Sequence, residues 1–125
     1  MSAYILVVDD NEDSVWITRE ILVRRGFDVD VAYDGPSALA KVAARQPDLI
    51  VLDVMMPGMS GIEVLDRLRA DPTRASTPVI LLTAKSQDED LLEGYKTGAD
   101  YYITKPFVAK QLLYGVDLLL GKVSA

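Results

Sequence analysis

Five residues of this chain could do chemistry together, and all five stand where a strand-like run gives out, apolar in three cases and mixed in polarity before Lys105. Asp9 and Asp10 follow Tyr4 to Val8, Asp53 follows Leu49 to Leu52, Thr83 follows Val79 to Leu82, and Lys105 follows Tyr101 to Thr104. A lone Asp after a strand ordinarily opens a turn. Three carboxylates drawn into one place are a different matter, because each unit-charge pair at 4 Å costs about 4 kcal/mol at an effective dielectric near 20. Such a cluster raises its own pKa values unless a cation sits within it. An all-oxygen site with few protein ligands and room for water suits Mg²⁺, with Mn²⁺ as the other candidate; the alternative is an acidic patch neutralised by lysine without metal. A hydroxyl, an ammonium and a divalent cation around one carboxylate are what a transferring phosphoryl group needs. Asp is a known nucleophile in aspartyl-phosphate chemistry, which makes Asp53 the simplest acceptor.

Composition narrows the rest. The chain has 125 residues, half of them apolar, which suits one folded domain with a single core. It has no Cys, so disulfides, thiolate chemistry and Cys-type zinc sites are excluded. It has no His, so the commonest general base and metal ligand are missing, as is any phosphohistidine of its own. Carboxylates, hydroxyls and lysines must carry the function. The net charge of −6 argues against a nucleic-acid surface. The adjacent pair Arg24 and Arg25 fits the last turn of a helix instead. No apolar run is long enough to span a membrane and no signal peptide opens the chain, so a cytoplasmic protein without membrane contact is expected.

The elements that must position those five residues alternate regularly. Tyr4 to Val8 reads as a buried strand. A helix over Ser14 to Arg25 follows, with Ile17, Ile21 and Leu22 inward and Gly26 ending it. Trp16 and Val23 fall on another stripe, where Trp16 either lies over the rim of the core or forms a partner contact. Val29 to Ala32 alternates like an edge strand. Pro36 opens a helix containing Ala38, Leu39, Val42 and Ala43. After the central strand, Pro57, Gly58 and Gly61 lead to a helix with Ile62, Leu65 and Leu68 inward, ending near Asp71 and Pro72. Val79 to Leu82 is a third wholly apolar strand. Ser86 and Glu89 then form a capping box, with Asp88 to Asp90 in the first turn, for a helix closed by Gly98. Tyr101 to Thr104 is the fifth strand, and a last helix spans about Val108 to Leu120, its start blurred by the lack of a capping Ser or Asp.

Five strand-helix alternations imply parallel βαβ units. The expected fold is α/β, a three-layer doubly wound five-stranded parallel sheet of order 2-1-3-4-5, which brings Asp9, Asp10 and Asp53 into one crevice at the switch point.

On those residues, together with Met56-Pro57-Gly58, Gly61, Gly98-Ala99-Asp100 and Lys105-Pro106-Phe107, the whole chain resembles the receiver domain of bacterial two-component response regulators, a flavodoxin-like fold. The resemblance implies that Asp10, Asp53 and the backbone carbonyl of Met55 bind Mg²⁺, with Asp9 reaching it through water. It implies that Asp53 takes a phosphoryl group from a phosphohistidine on a sensor histidine kinase or histidine phosphotransfer protein. Lys105, the Thr83 hydroxyl and the Ala84 amide would then hold the phosphoryl oxygens, and Lys105-Pro106 would be cis. The new charge would draw in Thr83, and Tyr102 would turn into the space left behind; the alternative is an ordinary edge-strand tyrosine.

The expectation is a signalling phosphoacceptor, not a turnover enzyme, and residues 1–125 read as a single receiver domain without an output domain. Met55 and Lys85 hold the two positions that tune signal lifetime in the family, and neither readily orients an attacking water, so self-dephosphorylation should be slow. Leu112, Val116 and Leu119 are expected inward on the last helix, leaving Leu113, Tyr114 and Leu118, with Tyr95 and Tyr102 nearby, as an apolar output surface. A homodimer through the fourth helix, fifth strand and last helix would cover it, or else an unknown downstream target or a neighbouring domain. A flavin binder would need a first loop that cradles phosphate, which Asp9-Asp10-Asn11-Glu12-Asp13 would repel. A phosphatase with an aspartyl intermediate would need an acid two residues after its nucleophile, where Met55 stands.

Overall fold

In each inner strand alternate residues are buried on opposite faces, and helices cover both. The computed structural model describes residues 2–84 and 98–121. It contains β1 (Tyr4–Val8), α1 (Glu12–Arg24), β2 (Asp28–Ala32), α2 (Gly35–Ala44), β3 (Leu49–Asp53), α3 (Gly61–Ala70), β4 (Val79–Ala84), β5 (Tyr101–Lys105) and α4 (Ala109–Leu119). The sheet is parallel with order β2-β1-β3-β4-β5. Leu6, Val8, Ile50, Leu52 and Leu81 pack against α2 and α3 through Val42, Val64 and Leu68. Ile5, Val7, Val51, Ile80 and Leu82 pack on the other face against Leu22 of α1 and Leu112 and Val116 of α4. The result is the expected three-layer doubly wound fold, with β1, β3 and β4 inside. The helix expected between Ser86 and Gly98 falls on residues 85–97, outside the described residues, as do its capping box, Lys85 and Tyr95.

Helix α1 departs from the sequence expectation. It begins at Glu12, two residues before Ser14, because the Asn11 side chain caps it by accepting from the Ser14 N–H at 2.9 Å. Its inward stripe is Val15, Thr18 and Leu22, while Ile17 is 51 % exposed and Ile21 half-buried. A threonine completes the i, i+3, i+7 row, which displaces the two isoleucines to its flank. Trp16, 60 % exposed, does not cover the core. On α4, Leu112 and Val116 are buried as expected, and Leu119 and Leu113 pack against the same cluster. Asp117 is also buried and pairs with Arg25, tying α4 to the end of α1. Lacking a capping side chain, α4 starts with the Gln111 side chain accepting from the Val108 N–H at 3.0 Å.

Candidate functional site

Strand register delivers the five residues in steps. Asp53 pairs with Leu82, so Thr83 stands one residue further toward the rim; Thr83 pairs with Thr104, and Ala84 with Lys105. Asp9 and Asp10 follow the last residue of β1, and Val8 pairs with Leu52. Asp9, Asp10 and Asp53 each bring a carboxylate oxygen within 4.8 Å of the others. Asp9 and Asp53 are buried and Asp10 is exposed, so the pocket opens to solvent on the Asp10 side.

Local structure holds each group in place. The Asp9 carboxylate accepts from the Asn11 N–H at 3.1 Å through Oδ1 and from Lys105 Nζ at 2.8 Å through Oδ2. Asn11 therefore both orients Asp9 and caps α1, a positioning role the sequence reading missed, although an Asn three residues before Ser14 is a recognisable capping signal. Behind Asp53 the chain turns through Gly58, whose φ of +77° suits glycine. Gly61 then starts α3 against the end of β3, where an added Cβ would lie 2.1 Å from the Asp53 carbonyl oxygen. The Gly61 N–H donates to the Val54 carbonyl at 2.9 Å, and Ser60 caps the helix. The Lys105-Pro106 peptide bond is cis, as the resemblance implied.

The electrostatics are lopsided. Lys105 lies 2.8 Å from Asp9 and 3.2 Å from Asp53, one ammonium serving two carboxylates with a third beside them. Burial raises the Asp53 pKa, the Asp9 charge raises it further, and Lys105 only partly offsets them, so the group is pushed up to about 6. Burial works against the Lys105 charge, yet its hydrogen bond to Asp9 and the pull of both carboxylates prevail and hold its pKa above the ordinary lysine value. A pocket in which an aspartate resists ionisation for want of positive charge, and whose donors are all oxygen, can hold a divalent cation.

Thr83 is buried at the rim, with Ala84 next to it in register with Lys105. Tyr102 is half-buried and packs on the α2–α3 side of the sheet, whereas Tyr101 packs on the α1–α4 side. The Met55 side chain is 56 % exposed, so only its backbone is suited to the pocket.

Fold and pocket together define a class: a doubly wound α/β domain with a charged, cation-seeking crevice at its switch point, where a phosphate cradle would stand in a nucleotide binder. The model of the response regulator receiver domain family matches residues 5–117, and the chain belongs to that family of phosphorylation-activated switches in two-component signalling. It is 44 % identical over 122 residues to the alkaline phosphatase synthesis transcriptional regulatory protein PhoP of Bacillus subtilis, covering 98 % of this chain and 50 % of that protein. It therefore spans about half the length of that relative. Among solved structures it is similar to the signal receiver domain of a signal transduction histidine kinase from Syntrophus aciditrophicus, with TM-score 0.91 and 33 % identity over 98 % of this chain and 93 % of the other. It is also similar to the chemotaxis response regulator CheY4 of Vibrio cholerae, with TM-score 0.89 and 33 % identity over 95 % and 99 %. Among the described residues no helix is long and apolar enough to cross a membrane.

Proposed function

We propose that Asp53 accepts a phosphoryl group from a phosphohistidine on a sensor histidine kinase or phosphotransfer protein. The observation that carries this reading is the Lys105 ammonium shared by buried Asp9 and Asp53 beside Asp10, a site at the end of the central strand that is short of positive charge among the described residues. Asp10, Asp53 and the Met55 carbonyl would hold Mg²⁺, or Mn²⁺ in its place, with Asp9 reaching it through water. When bound, the ion neutralises charge on the transferring oxygens. A carboxylate oxygen of Asp53 attacks phosphorus as the bond to the imidazole nitrogen breaks, and the imidazole leaves with that electron pair and picks up a proton. Lys105 exchanges its hold on Asp53 for the phosphoryl oxygens, and the Thr83 hydroxyl and Ala84 amide donate to them.

The modified residue carries close to two negative charges. Its pull on Thr83 would move the β4 end inward, and Tyr102 would rotate to follow. The face formed by β5 and α4, with Tyr101, Tyr102, Lys110 and Tyr114 along one groove, is the surface proposed to read this change. Its partner is a downstream protein, an adjoining domain or a second activated copy. An action on DNA, which PhoP's name ascribes to that protein as a transcriptional regulator, would run through such a partner or adjoining domain and not through this acidic surface. Met55 and Lys85 supply no acid or amide to orient water, so the phosphoryl group should be lost slowly from the purified protein.

Incubation with acetyl phosphate and Mg²⁺ followed by intact-mass measurement tests the assignment. One stable phosphate, absent in Asp53→Asn, is expected; continuous turnover without a stable adduct, or equal labelling of Asp53→Asn, would refute it. Thr83→Ala should keep most of the phosphate uptake while weakening the phosphorylation-dependent change in partner affinity, and equal affinities of phosphorylated wild type and mutant would contradict the switch.

A further inference from the structure

The outer edge of β2 is closed by side chains. β2 ends the sheet, and its Asp28 N–H donates to the Ala3 carbonyl at 3.0 Å while its Ala32 carbonyl accepts from the Asp9 N–H at 3.1 Å. Backbone groups alternate in direction along a strand, so Asp28, Asp30 and Ala32 turn theirs toward β1 and Val29 and Val31 turn theirs outward. At Val31 both outward groups are occupied. Its N–H donates to Asp30 Oδ1 at 2.8 Å, and its carbonyl accepts from Lys41 Nζ of α2 at 2.6 Å. Lys41 Nζ also donates to the same Asp30 oxygen at 3.0 Å, so one ion pair holds the donor and the acceptor of a single edge residue. Both side chains are partly exposed, and a pair so placed gains little from charge attraction alone. Its position on the edge gives it a second use.

We propose that the Asp30–Lys41 latch keeps a second copy of this chain from adding its own β2 to the sheet. An edge of unpaired N–H and C=O groups is a template for strand addition, and this edge fits its own copy. In an antiparallel pairing about a two-fold axis at Val31, Val31 faces Val31 of the second copy and Val29 faces Tyr33, so every outward residue meets an outward residue. Val29, Val31 and Tyr33 are β-branched or aromatic, the types that strands favour, and Tyr33 is 47 % exposed just past the end of β2. The latch acts at the centre of that ladder. The two hydrogen bonds on the axis would both need the Val31 groups that Asp30 and Lys41 hold. Pairing would also set the two Asp30 carboxylates diagonally across from each other on one face, where like charges repel. This edge lies at the opposite side of the sheet from β5 and takes no part in the phosphoacceptor pocket.

Amide exchange and sedimentation of the whole unphosphorylated chain test this. Asp30→Ala alone should speed exchange of the Val31 amide by about tenfold, while the Leu6 and Ile50 amides of the inner strands stay as slow as in wild type and show that the fold is intact. Asp30→Ala combined with Lys41→Met frees both Val31 groups and leaves the net charge at −6, since one acid and one base are removed together. Between micromolar and submillimolar concentration that double variant should rise from monomer to dimer mass. Its Val29, Val31 and Tyr33 amides should gain protection in step, with no gain at Tyr101 or Tyr102 on the β5 edge. Wild type should gain none at Val29, Val31 or Tyr33 over the same range. A Val31 amide indifferent to Asp30→Ala overturns the proposal. So does a folded double variant that stays monomeric or gains its protection away from Val29, Val31 and Tyr33, or a wild type that gains protection at those three.

Discussion

The two ends of the sheet use the same residue types to opposite effect. Toward the amino end and in the middle of β2, among the described residues, Asp28, Asp30, Asp48 and Asp100 each have a cation or a backbone N–H of their own. Asp48 accepts from the Tyr4 N–H at 2.7 Å, and Asp100 accepts from the Val79 N–H at 2.8 Å while pairing with Arg69 at 2.9 Å. Asp28 pairs with Arg45 and Asp30 with Lys41. At the carboxyl end, among the described residues, Asp9 and Asp53 share Lys105 with Asp10 beside them. Burial is the largest single influence on Asp30 and opposes its charge, but the hydrogen bonds from Lys41 and the Val31 N–H, with the nearby cations, together outweigh it and bring its pKa below the usual carboxylate value. Burial and Asp9 instead drive Asp53 up to about 6. One end is neutralised pair by pair and holds the fold together; the other is left overloaded, and that excess is what a cation or a phosphoryl group with its attendant donors can relieve.

Removing a group should therefore destabilise the amino end and stabilise the carboxyl end. The largest change is expected for Arg69→Ala. Arg69 donates to the Gly98 carbonyl at 3.1 Å and the Thr77 carbonyl at 2.8 Å besides pairing with Asp100, so its loss should lower unfolding free energy in urea by about 3 kcal/mol. A loss no larger than that of an isolated surface pair would remove the contrast.

Asp53→Asn should act in the other direction. An aspartate raised to about 6 costs the folded protein about 3 kcal/mol when ionised at neutral pH. Asn keeps part of the cost of burying a polar group, and Lys105 loses one partner, so a net gain of about 2 kcal/mol at pH 7 in chelator is expected.

The pH dependence of that gain is a sharper test. Because the folded-state pKa lies above the unfolded value of 3.8, the native protein binds the extra proton between the two values. The penalty is thus full above about pH 6, fades as pH falls through that value, and is gone below the unfolded pKa. The difference between Asp53→Asn and wild type should shrink accordingly on acidification; a gain that grew toward low pH would reverse the assignment. The smallest effect belongs to Arg45→Ala, whose partner is an exposed Asp28 and whose guanidinium lies 3.8 Å from the Tyr4 ring centroid; about 1 kcal/mol or less should be lost.

The same two ends explain what was legible in the sequence. The strands and their order could be read because β1, β3 and β4 are uninterrupted apolar runs, and a chemically active residue at the end of each is a local signal. The pocket followed from the topology, since Asp9 and Asp53 meet only if β1 and β3 are neighbours. The amino-end clips left no such mark. Arg69 and Asp100 are 31 positions apart, and neither residue type announces its partner. The inward face of α1 was read correctly at Leu22 and misread beside it because Thr18, polar by type, is buried, while Ile17 is not and Ile21 is only half-buried. Hydrophobic spacing finds a helix more reliably than it finds which stripe faces the core when apolar residues occupy two of them.

The central claim is that the Asp9, Asp10 and Asp53 cluster is held short of positive charge until a cation arrives. Urea unfolding of wild type and Asp53→Asn at pH 7, each in chelator and in millimolar Mg²⁺, tests it most directly. Wild type should be the less stable of the two in chelator and should gain clearly from Mg²⁺, while Asp53→Asn gains little. A wild type already more stable than Asp53→Asn in chelator, and indifferent to Mg²⁺, would contradict the account.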